Sequence, residues 1–154
     1  MNTTINPYDS YDNNEKENYT SCFYSSFVFI INIIVAYLYK HYLYSFLFLL
    51  LFITSIIVHS NYSLTTNIID KFSISFVVLW GAYIFFQKCC HTLSWKQTIV
   101  AFFVILTLLL TIYLYIYGWF TDQYCYCKQQ DLAKSYHSIM HLISSFGHVL
   151  IVIM

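Results

Sequence analysis

The chain has 154 residues, of which 59% are hydrophobic, 21% are Phe, Tyr or Trp and only 9% are charged; seven lysines balance seven acids to a formal charge of zero. Soluble domains carry about a quarter charged residues, so this composition excludes an ordinary water-soluble globule. It also lacks the basic field that nucleic acid requires, and no nucleic-acid partner is expected.

Residues 1–19, "MNTTINPYDSYDNNEKENY", are polar and acidic and lack the basic start of a signal peptide, so they read as a flexible tail. The rest of the chain, 20–154, reads as one transmembrane helical domain. Uncharged runs cover 18–39, 41–69, 72–87, 97–121 and 135–154. A spanning helix needs roughly 20 apolar residues, with roughly 17 as a lower limit. Four runs reach that length, and Lys71 and Lys88 can snorkel from the ends of the short third one. Backbone polar groups in hydrocarbon need partners within their own segment, so the runs predict helices despite their β-branched and aromatic content. Their continuity, without alternation, excludes a β-barrel. The fold class is all-α: a polytopic transmembrane bundle of about five spanning helices.

In chain order, a first helix over about 21–39 meets a tight turn at Lys40 and His41, and a second runs over about 42–60. Asn61 and Ser63 open a short polar link, and a third helix runs from Asp70 or just before to about Phe86. After "QKCCHTLSWKQ" comes a fourth over about 97–118, then the longest internal loop, "GWFTDQYCYCKQQDLAK", and a fifth helix from about 135 onward. Counting spans places the tail, His59, Asp70 and the start of the fifth helix on one membrane face, here side A; His41 and His91 fall on side B. Lys16, Lys71, Lys128 and Lys134 lie on A and Lys40, Lys88 and Lys96 on B, so the positive-inside count does not decide orientation. The short B links carry lysine without acid, and Asn-x-Ser/Thr triplets begin at Asn18 and Asn61 on A, which leans toward A being lumenal or extracellular.

His137 and His141, four residues apart, share one face of the fifth helix and can hold two corners of a zinc coordination sphere. His59, at the A end of the second helix, is the candidate third ligand. Three histidines leave one position open for water, the arrangement of a catalytic zinc site. Ser55 lies one turn deeper than His59 on the same face. Asp70, placed at a helix N-terminus, is favoured there by the macrodipole and suits a base or a hydrogen-bond partner to the activated water. Taken singly, His59 reads as an interfacial polar residue and Asp70 as a helix cap beside Lys71. Together on one membrane face they read as a site, because ionisable residues inside a spanning bundle are costly and usually functional.

His148, about 10 Å deeper than His141 along the helix, is too far for the same ion and reads as an interior polar contact or a channel residue. Of five cysteines, Cys125 and Cys127 form a CxC pair that reads as membrane-edge filler rather than a zinc site, although pairing across the loop stays open. Gly81 and Gly147 permit close helix approach. With three glycines in all, the chain has no phosphate-cradling loop.

"SIIVHSNYSLTTNIID" resembles the Ser-x-x-x-His followed eleven residues later by Asp of alkaline ceramidases, and "HSIMHLISSFG" is similar to the His-x-x-x-His stretch of their final helix. The wider superfamily includes the progestin and adiponectin receptor family with the hemolysin III proteins, whose Asp-led third helix "DKFSISFVVLWGAY" also resembles. The resemblance implies a seven-helix membrane hydrolase in which His59, His137 and His141 hold zinc, Ser55 lies near the metal and Asp70 meets the activated water. It also implies a ceramide-like substrate cleaved at its amide. Five helices stand here where the family has seven, Lys71 follows Asp70 where ceramidases have glutamate, and Met140 replaces a tryptophan. A missing two-helix hairpin between Asp70 and His137 keeps the last helix starting on the same side.

The expected function is a zinc-dependent integral membrane hydrolase acting on a lipid amide such as ceramide, or on an acyl ester. Asp70 would accept and return a proton, and Ser55 would donate a hydrogen bond near the metal. Two readings compete: a non-catalytic zinc-binding membrane protein for ligand sensing or stability, and a small structural membrane protein without metal. A membrane lipid is the expected partner, and a second copy of the chain is a candidate one.

Overall fold

The computed structural model describes residues 20–154; the expected tail over 1–19, with the triplet at Asn18, lies outside the described residues. Helices α1 (Thr20–Ser26) and α2 (Phe29–Leu38) run into each other through bonds of the tighter three-residue type, Phe27 N–H to the Tyr24 carbonyl and Val28 N–H to that of Ser25. They form one span, Ser21–Leu38. Lys40 then takes a left-handed conformation, φ 64°, while its N–H and that of His41 bond back to Tyr37 and Ala36. That arrangement satisfies the carbonyls left open at the helix end and reverses the chain within three residues.

Helix α3 (Tyr42–Ser60) follows, then α4 (Leu64–Cys89), α5 (Trp95–Ile112), α6 (Gly118–Thr121) and α7 (Gln130–Ile153). A π-helical turn over Tyr113–Tyr117 carries α5 into α6, and a 3₁₀ turn over Tyr124–Tyr126 precedes α7. Asp122, φ 54°, ends α6 by the device used at Lys40, with Gln123 N–H bonding to the Gly118 carbonyl. Among the described residues, five helical spans are thus long and apolar enough to cross a membrane, matching the number expected.

Two starts differ from expectation. Helix α4 begins at Leu64, six residues before Asp70, because the Ser63 side chain accepts the Thr66 N–H and Thr66 returns the bond to the Ser63 N–H. This capping box places Asp70 in the second turn, so the macrodipole at the helix start does not act on it as anticipated. Helix α7 begins at Gln130 rather than near 135, and the longest loop is correspondingly short.

Side-chain bonds at both ends fix the direction of the helices. Lys88 Nζ donates to the carbonyls of Ile151 (2.9 Å) and Val152 (2.7 Å), and Gln97 Nε2 donates to that of Met154 (3.0 Å). At the other end, Cys22 Sγ donates to the Lys134 carbonyl at 3.4 Å. The first span, α4 and α7 therefore run one way and α3 and α5 the other, as span counting requires. The first span, α3, α4 and α7 contact one another in a ring, and α5 packs on α7.

Helix α7 is the most enclosed, with 39% of its most apolar 18-residue stretch buried against 22% for those of the α4 and α5 spans. Leu79, Phe102 and Leu109 stay more than half exposed, which suits hydrocarbon as solvent. Tyr44, Phe48, Val77 and Ile151 form the interior. Polar pairs lie within it: the Asn32 amide donates to Ser145, and the Tyr44 hydroxyl is hydrogen-bonded to His148 Nδ1. His148 is thus an interior polar contact. Gly81 faces that pair and Gly147 faces Thr107 with no room for a Cβ, the close approach expected of both glycines.

Candidate metal centre

His59 occupies the last turn of α3, and His137 and His141 occupy successive turns of α7. Antiparallel packing brings that helix end and that helix face to the same depth. One ligand nitrogen from each ring lies within 4.8 Å of the other two, and the ring centroids are 5.3, 5.5 and 4.7 Å apart. Three atoms so placed share a point within roughly 2.8 Å of each, against roughly 2.0–2.1 Å for a zinc–nitrogen bond. Sub-ångström adjustments of three side chains close that gap, and an all-imidazole donor set suits zinc. The described residues therefore include a cluster capable of holding a metal ion inside a helical, membrane-like bundle.

His141 is buried, whereas His59 and His137 are half-buried and face a cavity of about 120 Å³. Asp70, Lys71, Lys134 and Cys125 line the same cavity. Asp70 is 5% exposed, and its Oδ1 accepts a hydrogen bond from Thr54 at 3.0 Å. It is not one of the three clustered donors; it lines the cavity that His59 and His137 also face. Ser55 is buried and hydrogen-bonded to Ser26 at 2.8 Å, and Ser26 in turn donates to the Cys22 carbonyl at 2.9 Å. With the Ser26 proton committed to a carbonyl, Ser55 is the donor in that pair.

Three contributors escape a reading of the sequence: Ser25, Ser26 and Thr54. Ser25 Oγ lies 2.8 Å from His141 Nδ1. The available signal was the pair of adjacent hydroxyls Ser25 and Ser26 in a largely apolar span. All five cysteines are free; Cys22 is buried and Cys125 and Cys127 line the cavity, while Cys89 and Cys90 are exposed at the opposite end. Burial, reinforced by the neighbouring Cys22 and Cys127 thiols, pushes Cys125 up to about 12. At side B, burial and then the Lys88 ammonium hold His41 below the usual imidazole range, far from the three-histidine cluster.

No protein-family model matches the chain, and neither does any curated protein or solved structure. Function therefore has to be argued from the site itself.

Proposed function

We propose that the chain is a zinc-dependent integral membrane hydrolase acting on a lipid amide of the ceramide type or on an acyl ester, a shortened relative of the alkaline ceramidase and progestin and adiponectin receptor superfamily. The observation that carries this reading is the convergence of three imidazoles from two helices, two of them facing a cavity that a carboxylate also lines. His59, His137 and His141 would hold the ion, which would supply Lewis-acid activation of a water and of the substrate carbonyl. Asp70, oriented through Oδ1 by Thr54, takes the proton that water loses and passes it to the leaving nitrogen or oxygen. The hydroxyl goes to the acyl carbon as the acyl bond breaks, and the products are a fatty acid and an amine or alcohol. The apolar outer faces of the spans leave the acyl chains in hydrocarbon while the head enters the cavity.

One observation favours the non-catalytic metal protein instead: the Ser55 proton is engaged by Ser26, so Ser55 donates to a developing oxyanion only if that bond opens. Metal analysis and fatty-acid release decide among the readings. Purified protein in micelles is expected to carry about one zinc per chain and to release fatty acid from one or more members of a panel of ceramides and other acyl lipids. His137→Ala and His141→Ala lose both properties, whereas Asp70→Asn keeps zinc and loses about 10²–10⁴-fold in rate. Zinc without fatty-acid release across the panel points to the non-catalytic reading. Zinc content near zero, unchanged by either histidine substitution, sinks the metal site.

A further inference from the structure

A serine hydroxyl has a single proton to give and lone pairs with which to accept. Ser25 Oγ lies 3.0 Å from the Cys22 carbonyl oxygen and 2.8 Å from His141 Nδ1. The carbonyl can only accept whereas Nδ1 can give or take, so both contacts are satisfied together only with the Ser25 proton on the carbonyl. Toward His141 the oxygen is left as an acceptor, and Nδ1 must bring the proton to that bond. A neutral imidazole has only one N–H, so the lone pair of His141 then resides on Nε2.

We propose that Ser25 is a positioning residue for the metal centre, holding His141 in the tautomer that offers Nε2 to the ion. The inference rests on the metal-binding reading of His59, His137 and His141. Two neighbours make the arrangement rigid. Phe29 packs its ring 5.2 Å from that of His141, which restricts rotation of the imidazole. Ser26 donates to the same Cys22 carbonyl and accepts from Ser55, so hydroxyls on α1 and α3 and the imidazole on α7 form a network with one consistent proton direction. The first span contributes no imidazole to the cluster, yet through Ser25 it sets which nitrogen of a buried ligand is available. Partners of this kind, bonded to the second nitrogen of a ligating histidine, fix tautomer and ring orientation, and their loss typically costs 10–100-fold in metal affinity.

A purely structural Ser25, tying α1 to α7, predicts something different, and two isosteric substitutions separate the alternatives. Ser25→Thr keeps the hydroxyl, and Ser25→Val removes it at nearly the same size. Two quantities are read in micelles: the imidazole ¹⁵N shifts of metal-free protein labelled at histidine, with His141 assigned through His141→Gln, and the affinity for Co²⁺ from its absorption bands. Wild type and Ser25→Thr are expected to show His141 protonated on Nδ1 and to bind Co²⁺ equally. Ser25→Val is expected to lose that tautomer preference and to bind Co²⁺ about 10–100-fold more weakly. Where valine disturbs the helix contact, Ser25→Ala repeats the comparison without added bulk. An Nε2–H tautomer in the wild type overturns the inference, and so does a hydroxyl-free variant with wild-type Co²⁺ affinity. Failure of the wild type to bind Co²⁺ at all overturns the metal reading as well, and is told apart by being independent of residue 25.

Discussion

Cys125 sits in the cavity wall beside the histidines, and its thiol is held protonated far above the usual cysteine range because burial there disfavours the thiolate. The thiolate is the nucleophile, so reactivity appears only as pH climbs toward about 12. At pH 8 iodoacetamide is expected to modify Cys125 on the order of a hundredfold more slowly than a free thiol, after allowing for the greater intrinsic nucleophilicity of a high-pKa sulfur. Peptide mass spectrometry over a pH series checks this; labelling as fast as the free thiol at pH 8 contradicts the raised pKa of Cys125. At this same scale the three imidazoles were legible in advance. A separation of four on one helix and a shared depth with the end of another are properties of spacing alone. Thr54 and Ser25 were not legible, since a hydroxyl in a spanning helix carries no charge pattern and its partner lies 16 residues away in one case and 116 in the other.

Helix boundaries show how local chemistry outweighs hydropathy. Runs of uncharged residues located all five spans, but the onset of α4 is set by Ser63 and Thr66, a capping box with threonine in the place where glutamate or glutamine is the usual signal. The start of α7 was hidden for another reason: its first two turns hold Gln130, Asp131 and Lys134, which read as loop until the helix is seen to project beyond the apolar stretch. Helices α5 and α7 approach closely at Gly147. A Cβ on Gly147 would press on Thr107, whose own Cβ would be 3.1 Å away and whose hydroxyl is already bound to the Val104 carbonyl. The branched, buried Thr107 has little freedom to move. Gly147→Ala is therefore expected to cost about 1–3 kcal/mol through forced separation of the two helices. Thermal unfolding in detergent measures it, and an unchanged midpoint would falsify this account of the contact.

For the molecule as a whole, the three-histidine cluster joins the second and fifth spans, and Ser25 adds the first. An ion that binds only this folded arrangement stabilises all of it: at a free concentration one hundred times its Kd the gain is about 2.7 kcal/mol. Zinc is expected to raise the unfolding midpoint of wild-type protein, a chelator to reverse the rise, and His141→Ala to show neither effect. Since imidazoles must shed their protons to bind, the increment shrinks on acidification. A midpoint indifferent to zinc and chelator contradicts the proposed centre. The number and direction of spans could be read from the sequence, because hydrocarbon allows few solutions; the ring formed by four of them, with α5 packed on α7, depends on side-chain fit that composition does not encode. His59 precedes His137 by 78 positions, and the second and third ligands both reside in the last of the five spans. A bundle of the first four spans therefore holds one imidazole of the three, and the cluster is complete only once the last helix has docked.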